Sequence, residues 1–239
     1  MVFCISLINK NLNKYEIKII YKNISNFKYW FTLNIFMIII NIYRLLGVNF
    51  MEKNFLTNSM NLAKEIAIKK LQEGDIAVDA TMGNGNDTVF LARLVGESGK
   101  VYSFDVQSTA IENTKKRIID NKINTKIELI HDGHENIDKY INEKLKLVMF
   151  NLGYLPSSEH NITTKAETTI GAVKKSLAML EKNGVVLLVI YHGHENGKLE
   201  KVAIEEFTSN LNQKEYNVMK LGFINQINNP PILIAIEKR

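Results

Sequence analysis

Cysteine is nearly missing from this sequence. Of 239 residues only Cys4 carries a thiol, which excludes a disulfide framework and a thiolate-held metal or iron–sulfur centre. It also leaves residues 51–239 without a Cys nucleophile. A surplus of positive charge is missing from the same stretch. The whole chain has 30 Lys and Arg against 25 Asp and Glu. Six of those basic residues (Lys10, Lys14, Lys18, Lys22, Lys28, Arg44) and only one acid, Glu16, lie in the first fifty positions. The remainder is left with 24 of each sign, so the basic balance gives no support to nucleic-acid binding by residues 51–239.

The first fifty residues differ from the rest in composition, with Asn and Ile supplying 19 of them. The stretch Trp30–Val48 has about the length of a membrane span and follows several lysines. Asn34, Asn41 and Arg44 interrupt it, its longest unbroken apolar run is Ile35–Ile40, and no small-residue cleavage site follows. Three readings compete: a membrane anchor, an amphipathic or disordered extension, and translated spacer upstream of a true start at Met51. An Asn/Ile/Lys/Tyr/Phe bias is what AT-rich DNA encodes, and Met51-Glu-Lys-Asn-Phe opens directly into a helical pattern. Both favour the third reading.

From there the pattern alternates. A helix capped by Thr57 or Asn58 is expected to run to about Gln72, followed by a strand at Ile76–Ala80 and a Gly/Asn loop at 81–87. Helix Thr88–Val95, strand Val101–Asp105, helix Ser108–Asp120 and strand Lys126–Ile130 follow, then a short helix around Ile137. Strand Leu145–Phe150 leads into a loop at 151–164, a helix at Ala166–Leu180, strand Gly184–Tyr191 and helix Gly197–Leu211. Strands Tyr216–Gln226 and Pro231–Glu237 close the chain through the turn Ile227–Pro230, and a short turn requires them to be antiparallel. Alternating βα units argue for a parallel sheet covered on both faces. Five such units ending in a hairpin suit a Rossmann-like α/β sheet of seven strands, mostly parallel, with an antiparallel C-terminal pair.

Ligands of open α/β sheets bind beyond the carboxyl ends of the strands, so the chemistry is sought there. The first loop, Asp79-Ala-Thr-Met-Gly-Asn-Gly-Asn-Asp87, lacks the G-x-G-x-x-G spacing and a following Lys-Ser/Thr pair. Gly83 and Gly85 allow close backbone approach. An acid leading into such a loop suits a cationic, phosphate-free ligand such as the methionine sulfonium of S-adenosylmethionine, with Asp79, Gly83, Asn84, Gly85, Asn86 and Asp87 as its contacts. Asp105 ends the second strand about 20 residues on, where a carboxylate accepts from both ribose hydroxyls, and Gln107 reaches the same sugar. Gly133 and His134, after the third strand, can grip an adenine ring. The alternative use of His131 and His134 is as metal ligands together with His192 and His194, but the two pairs leave different strands without a completing carboxylate motif, and no metal is expected.

Asn151-Leu-Gly-Tyr154-Leu-Pro156 leaves the fourth strand where amino-group methyltransferases often carry Asn/Asp-Pro-Pro-aromatic. An Asn oxygen and a nearby backbone carbonyl accept the N–H bonds of an amine and so aim its lone pair, while an aromatic such as Tyr154 stacks on a base. Leu-Gly stands here in place of the prolines. His192 and His194, after the fifth strand, are candidates for proton transfer or substrate contact, with a structural turn as the alternative.

Together these strings, with Thr163-Thr164, Gly222-Phe-Ile-Asn-Gln226 and Pro230-Pro231, resemble the YtqB-type bacterial family, now understood as MnmM. The resemblance covers about 55–239 and implies a class I S-adenosylmethionine-dependent methyltransferase domain at 51–239, with residues 1–50 an atypical extension. It implies cofactor contacts at Asn84, Asn86, Asp105, Gln107, Gly133 and His134. It further implies methylation of the aminomethyl group of 5-aminomethyl-2-thiouridine at the tRNA wobble position, with the tRNA anticodon arm as partner, a cytoplasmic location, and a homodimer as one option. On that reading Asn151, Tyr154 and His192 are the catalytic candidates. The missing Cys agrees, because carbon methylation of a pyrimidine usually needs a thiolate, which leaves direct transfer to nitrogen or oxygen. Two further functions compete: methylation of rRNA or a small-molecule amine, and a non-enzymatic scaffold.

Overall fold

The computed structural model describes residues 56–153, 164–193 and 195–239. The expectations for residues 1–50, Tyr154 and His194 lie outside them. Among the described residues no helix is long and apolar enough to cross a membrane.

Helix α1 (Ser59–Lys70) begins where the Asn58 side chain accepts the Asn61 N–H at 2.8 Å, and it buries Leu62, Ala63 and Ala67. Strand β1 (Ile76–Asp79) follows, then α2 (Asn86–Val95), β2 (Lys100–Asp105), α3 (Ser108–Asp120) and β3 (Lys126–His131). A 3-10 turn at His134–Lys139 leads to β4 (Leu145–Leu152), α4 (Ala166–Met179), β5 (Leu180–Ile190), α5 (Glu195–Ser209), β6 (Tyr216–Leu221) and β7 (Ile232–Lys238).

The seven strands form one sheet in the order β3-β2-β1-β4-β5-β7-β6. The first five are parallel, and β7 pairs antiparallel with both β5 and β6. This is the class I methyltransferase sheet that the sequence pattern suggests. Strand alternation divides the core into two layers. Val78, Tyr102, Phe104, Val148, Phe150 and Leu188 face α4 and the 3-10 turn, whereas Ala77, Val101, Leu147, Met149 and Leu187 face α1 and α2.

Several boundaries differ from expectation for local reasons. Helix α2 starts at Asn86, two residues early, because Gly85 takes a left-handed conformation (φ 75°) as its cap. Strand β4 continues to Leu152, since Asn151 and Leu152 still pair with Val189 and Ile190 of β5. Strand β5 begins at Leu180 across an irregularity, with Asn183 at φ 62°. Strand β6 ends at Leu221 rather than Gln226. Residues 222–231 form a connection longer than a tight turn, in which Ile224 and Ile227 are exposed and Asn228 and Asn229 have positive φ.

The chain steps outward from β1 to β2 and β3, then returns to lay β4 on the other side of β1. That reversal opens a crevice beyond the carboxyl ends of β1 and β4, where open α/β sheets bind ligands.

Candidate active site

A cavity of about 740 Å³ occupies that crevice, within the roughly 300–1,000 Å³ usual for small-molecule sites. Its wall includes Gly83, Asn84, Asn86, Asp87, Asp105, Gln107, Gly133, His134 and Asn151, nine residues singled out by sequence. It also includes Thr81, Asp132, Glu135, Thr164, Lys165, Thr168 and Tyr191, which were not chosen as site residues.

Asp105 is held by the chain on either side of the cavity. One carboxylate oxygen accepts the Gly83 N–H at 2.9 Å, and the other accepts the Gln107 N–H at 3.0 Å. The two bonds fix the carboxylate against the glycine loop while leaving it further lone pairs for a diol.

Asn84 faces two ways. It lines the cavity, yet its side-chain oxygen accepts from Asn113 Nδ2 at 2.9 Å and its carbonyl accepts from Arg117 Nε at 2.6 Å. Arg117 therefore belongs to the support of the loop. Asp87 is 8 % exposed and paired with Lys64 at 3.0 Å.

His134 is buried against Phe150 edge-on, with ring centroids 5.5 Å apart. Its Nδ1 lies 3.1 Å from the Ala80 carbonyl. A carbonyl only accepts, so Nδ1 carries the proton and Nε2 presents a lone pair. Burial pushes the imidazolium pKa down, which keeps the ring neutral. Nε2 is buried and has no partner among the described residues. Beside it, the Glu135 carboxylate lies where a Cβ on residue 133 would sit, so the side chain of Glu135 is packed against Gly133.

Asn151 closes the far end of the cavity. Thr81 Oγ1 accepts its backbone N–H at 2.7 Å, which ties β4 to the loop after β1. Its side-chain Oδ1 is buried and has no hydrogen-bond partner among the described residues. Such an acceptor is costly to leave unpaired and is a ready place for a substrate N–H. Tyr191 stands beside it, 40 % exposed, with its ring lying over Gly153. Burial, then Asp87, raises its phenol pKa.

Three sequence candidates are not part of the wall. Asp79 is 1 % exposed and turned to α2, where its two oxygens accept from Thr88 Oγ1 at 2.6 Å and from the Thr81 N–H at 3.2 Å. Burial, then the neighbouring Asp87 charge, pushes its pKa up to about 7. It anchors the loop through these two bonds and does not line the cavity. Gly85 is buried over Thr114, and its contribution is the left-handed turn. His192 is buried and turned to the backbone of Pro230; its pKa is lowered, chiefly by burial and then by Lys201. His131 is also turned away from His134, with Nε2 on the Val106 carbonyl at 2.9 Å. Among the described residues no three His, Cys, Asp or Glu side chains gather as metal ligands.

Thr81 stands in the first loop and Tyr191 at the end of the fifth strand, but only the structure shows that Thr81 bonds the Asn151 backbone and that Tyr191 lies over Gly153, two residues on. Asp132 carried a weaker signal, a polar residue just past a strand end. It accepts from Tyr140 Oη, the Gly133 N–H and Asn136 Nδ2, and the Tyr140 bond leads in holding its pKa low.

This arrangement is shared with known proteins. A Clostridium thermocellum protein whose crystal structure is described as that of a "putative rRNA-methylase" is 48 % identical, covers 77 % of this chain and 99 % of its own, and superposes with a TM-score of 0.76. A Streptococcus mutans protein solved in complex with SAH is 41 % identical over the same shares, with a TM-score of 0.71. The chloroplastic tRNA (mnm(5)s(2)U34)-methyltransferase of Arabidopsis thaliana is 34 % identical over 182 residues, which is 71 % of this chain. The match spans 65 % of that relative's length. Residues 101–237, more than half of the sequence, match the family model described as "Putative rRNA methylase", and the chain belongs to that family.

Proposed function

We propose that this protein is an S-adenosylmethionine-dependent N-methyltransferase that acts on the aminomethyl group of 5-aminomethyl-2-thiouridine at the tRNA wobble position, in the cytoplasm. The observation that carries the reading is the buried Oδ1 of Asn151 at the wall of the cavity, without a partner among the described residues. Family membership, the Arabidopsis relative and the SAH-bound Streptococcus relative support it.

The cavity residues fit the cofactor. Asp105, fixed by two backbone N–H groups, suits the ribose diol. His134 and Gly133 border the space for the adenine, and the loop 83–87 suits the methionine part. When bound, S-adenosylmethionine supplies an electrophilic methyl group. The chain's task is then to hold a nucleophile in line with it. Asn151 Oδ1 accepts one N–H of the substrate amine and so directs the nitrogen lone pair. An alkylammonium resembles Lys, with a pKa near ~10, and a cation has no lone pair to give. Burial around Asn151 favours the neutral amine. Tyr191 walls the same end of the cavity, where a base can lie.

A second reading is methylation of rRNA or of a small-molecule amine, and the absence of net positive charge in residues 51–239 favours the small amine. One experiment separates the two. The full chain is incubated with labelled S-adenosylmethionine and either tRNA carrying 5-aminomethyl-2-thiouridine or ribosomal RNA, and nucleosides are resolved by mass spectrometry. The proposal predicts 5-methylaminomethyl-2-thiouridine from the tRNA only. Label in rRNA alone, or in neither, overturns the substrate assignment.

A further inference from the structure

We propose that Glu200 is a positioning residue, which from the buried side of α5 holds the Thr164–Thr168 wall of the cavity in register with Asn151. The inference rests on the methyltransferase reading above and adds a residue to it. Glu200 reads from sequence as one more surface acid between Leu199 and Lys201. The structure places it on the inward stripe of α5 with Gly197, Ile204 and Thr208, only 2 % exposed. An apolar side chain would satisfy that position, and a carboxylate pays a desolvation penalty there unless it is well hydrogen-bonded.

Both carboxylate oxygens are engaged by the start of α4. Thr164 Oγ1 donates to one at 2.8 Å, and Thr169 Oγ1 donates to the other at 2.7 Å. Thr164 also donates its backbone N–H to the Gly153 carbonyl at 3.3 Å, two residues beyond Asn151. Thr164, Lys165 and Thr168 all line the cavity. Glu200 thus reaches from behind the wall and fixes both ends of the segment 164–169, whose other face is the cavity. An apolar side chain would hold neither threonine, whereas a carboxylate, an acceptor at both oxygens, holds two. Thr164, half of the Thr-Thr pair that belongs to the family resemblance, acquires its role here.

The test uses the full chain as wild type, Glu200→Leu and Thr164→Val. The leucine removes both links and the valine removes only one of them, so the second variant still reads the claim if the first folds poorly. Amide hydrogen exchange should quicken in residues 164–169 of either variant while the loop 80–87 is unchanged. Affinity for S-adenosylmethionine should stay within about twofold, and kcat/KM for the RNA should fall on the order of tenfold to a hundredfold, as expected for a displaced wall beside the reacting amine. Unchanged exchange at 164–169, or a loss of cofactor affinity in parallel with kcat/KM, overturns the proposal. If the wild type makes no product on the tRNA, the substrate reading fails, and the exchange result still decides the role of Glu200.

Discussion

Two aspartates end neighbouring strands and have opposite fates. Asp105 is pinned by backbone N–H groups at the cavity wall, whereas Asp79 turns onto the sheet face covered by α2 and is captured by Thr88. Replacing Asp105 by Ala should weaken S-adenosylmethionine binding by about 1.5–3 kcal/mol, the usual worth of hydrogen bonds to a charged group, as read by calorimetry. Undiminished affinity would remove Asp105 from the site. Asp79 makes a different prediction. Its pKa in the folded protein is about 7, above the 3.8 of a free side chain, so ionising it opposes folding. The folded state holds the proton where the unfolded state has lost it, and the wild type loses stability as pH rises between those two values. Asp79→Asn has no proton to lose. Its stability relative to wild type should rise across that window by at most about 1.4 kcal/mol per pH unit and level off above it. Parallel denaturation curves for the two proteins would contradict the burial account. At this scale the sequence reveals that both acids stand at strand ends. It does not reveal which way each side chain turns, because that depends on a threonine nine positions further on, in the following helix.

Helix α3 matters as a support for the glycine loop. Asn113 and Arg117 hold Asn84 from behind, and Thr114 fills the space under Gly85. A Cβ at Gly85 would lie 2.7 Å from Thr114 Oγ1, on a backbone already at φ 75°. Gly85→Ala should therefore cost about 1–3 kcal/mol of stability, measurable by denaturant unfolding; a neutral effect would mean the turn is not required. Arg117→Gln leaves the turn but loses a charge-assisted bond, so its main effect should be on cofactor affinity, roughly tenfold, with a smaller change in unfolding midpoint. An equal loss of both would make Arg117 a general stabiliser. The span of α3 follows directly from its sequence pattern, but the function of its basic run does not, since Lys115-Lys-Arg117 reads as a solvated face until the loop lies against it. The ends of β4 and β6 were hidden for a related reason. Asn151 continues β4 because β5 pairs with it, and β6 stops at Leu221 where its pairing with β7 ends.

At the scale of the molecule, the alternation of strands and helices was enough to anticipate a seven-stranded sheet with an antiparallel close, because hydrophobic period and connection length constrain it strongly. The strand order was not written locally. It is the reversal between β1 and β4 that brings Thr81, Asn151, Gly153 and Tyr191 to one end of a single cavity, although they lie in three separate stretches of sequence. The charge balance also belongs to this scale, since residues 51–239 carry no net positive charge. The central claim is that Asn151 aims an amine for methylation, and the most direct test is the turnover of 5-aminomethyl-2-thiouridine tRNA by wild type and Asn151→Ala, both saturated with S-adenosylmethionine. The account predicts that the variant binds the cofactor as wild type does and loses on the order of 10²–10³ in kcat, the scale of one oriented polar contact in a transition state. Turnover by Asn151→Ala at the wild-type rate would contradict it.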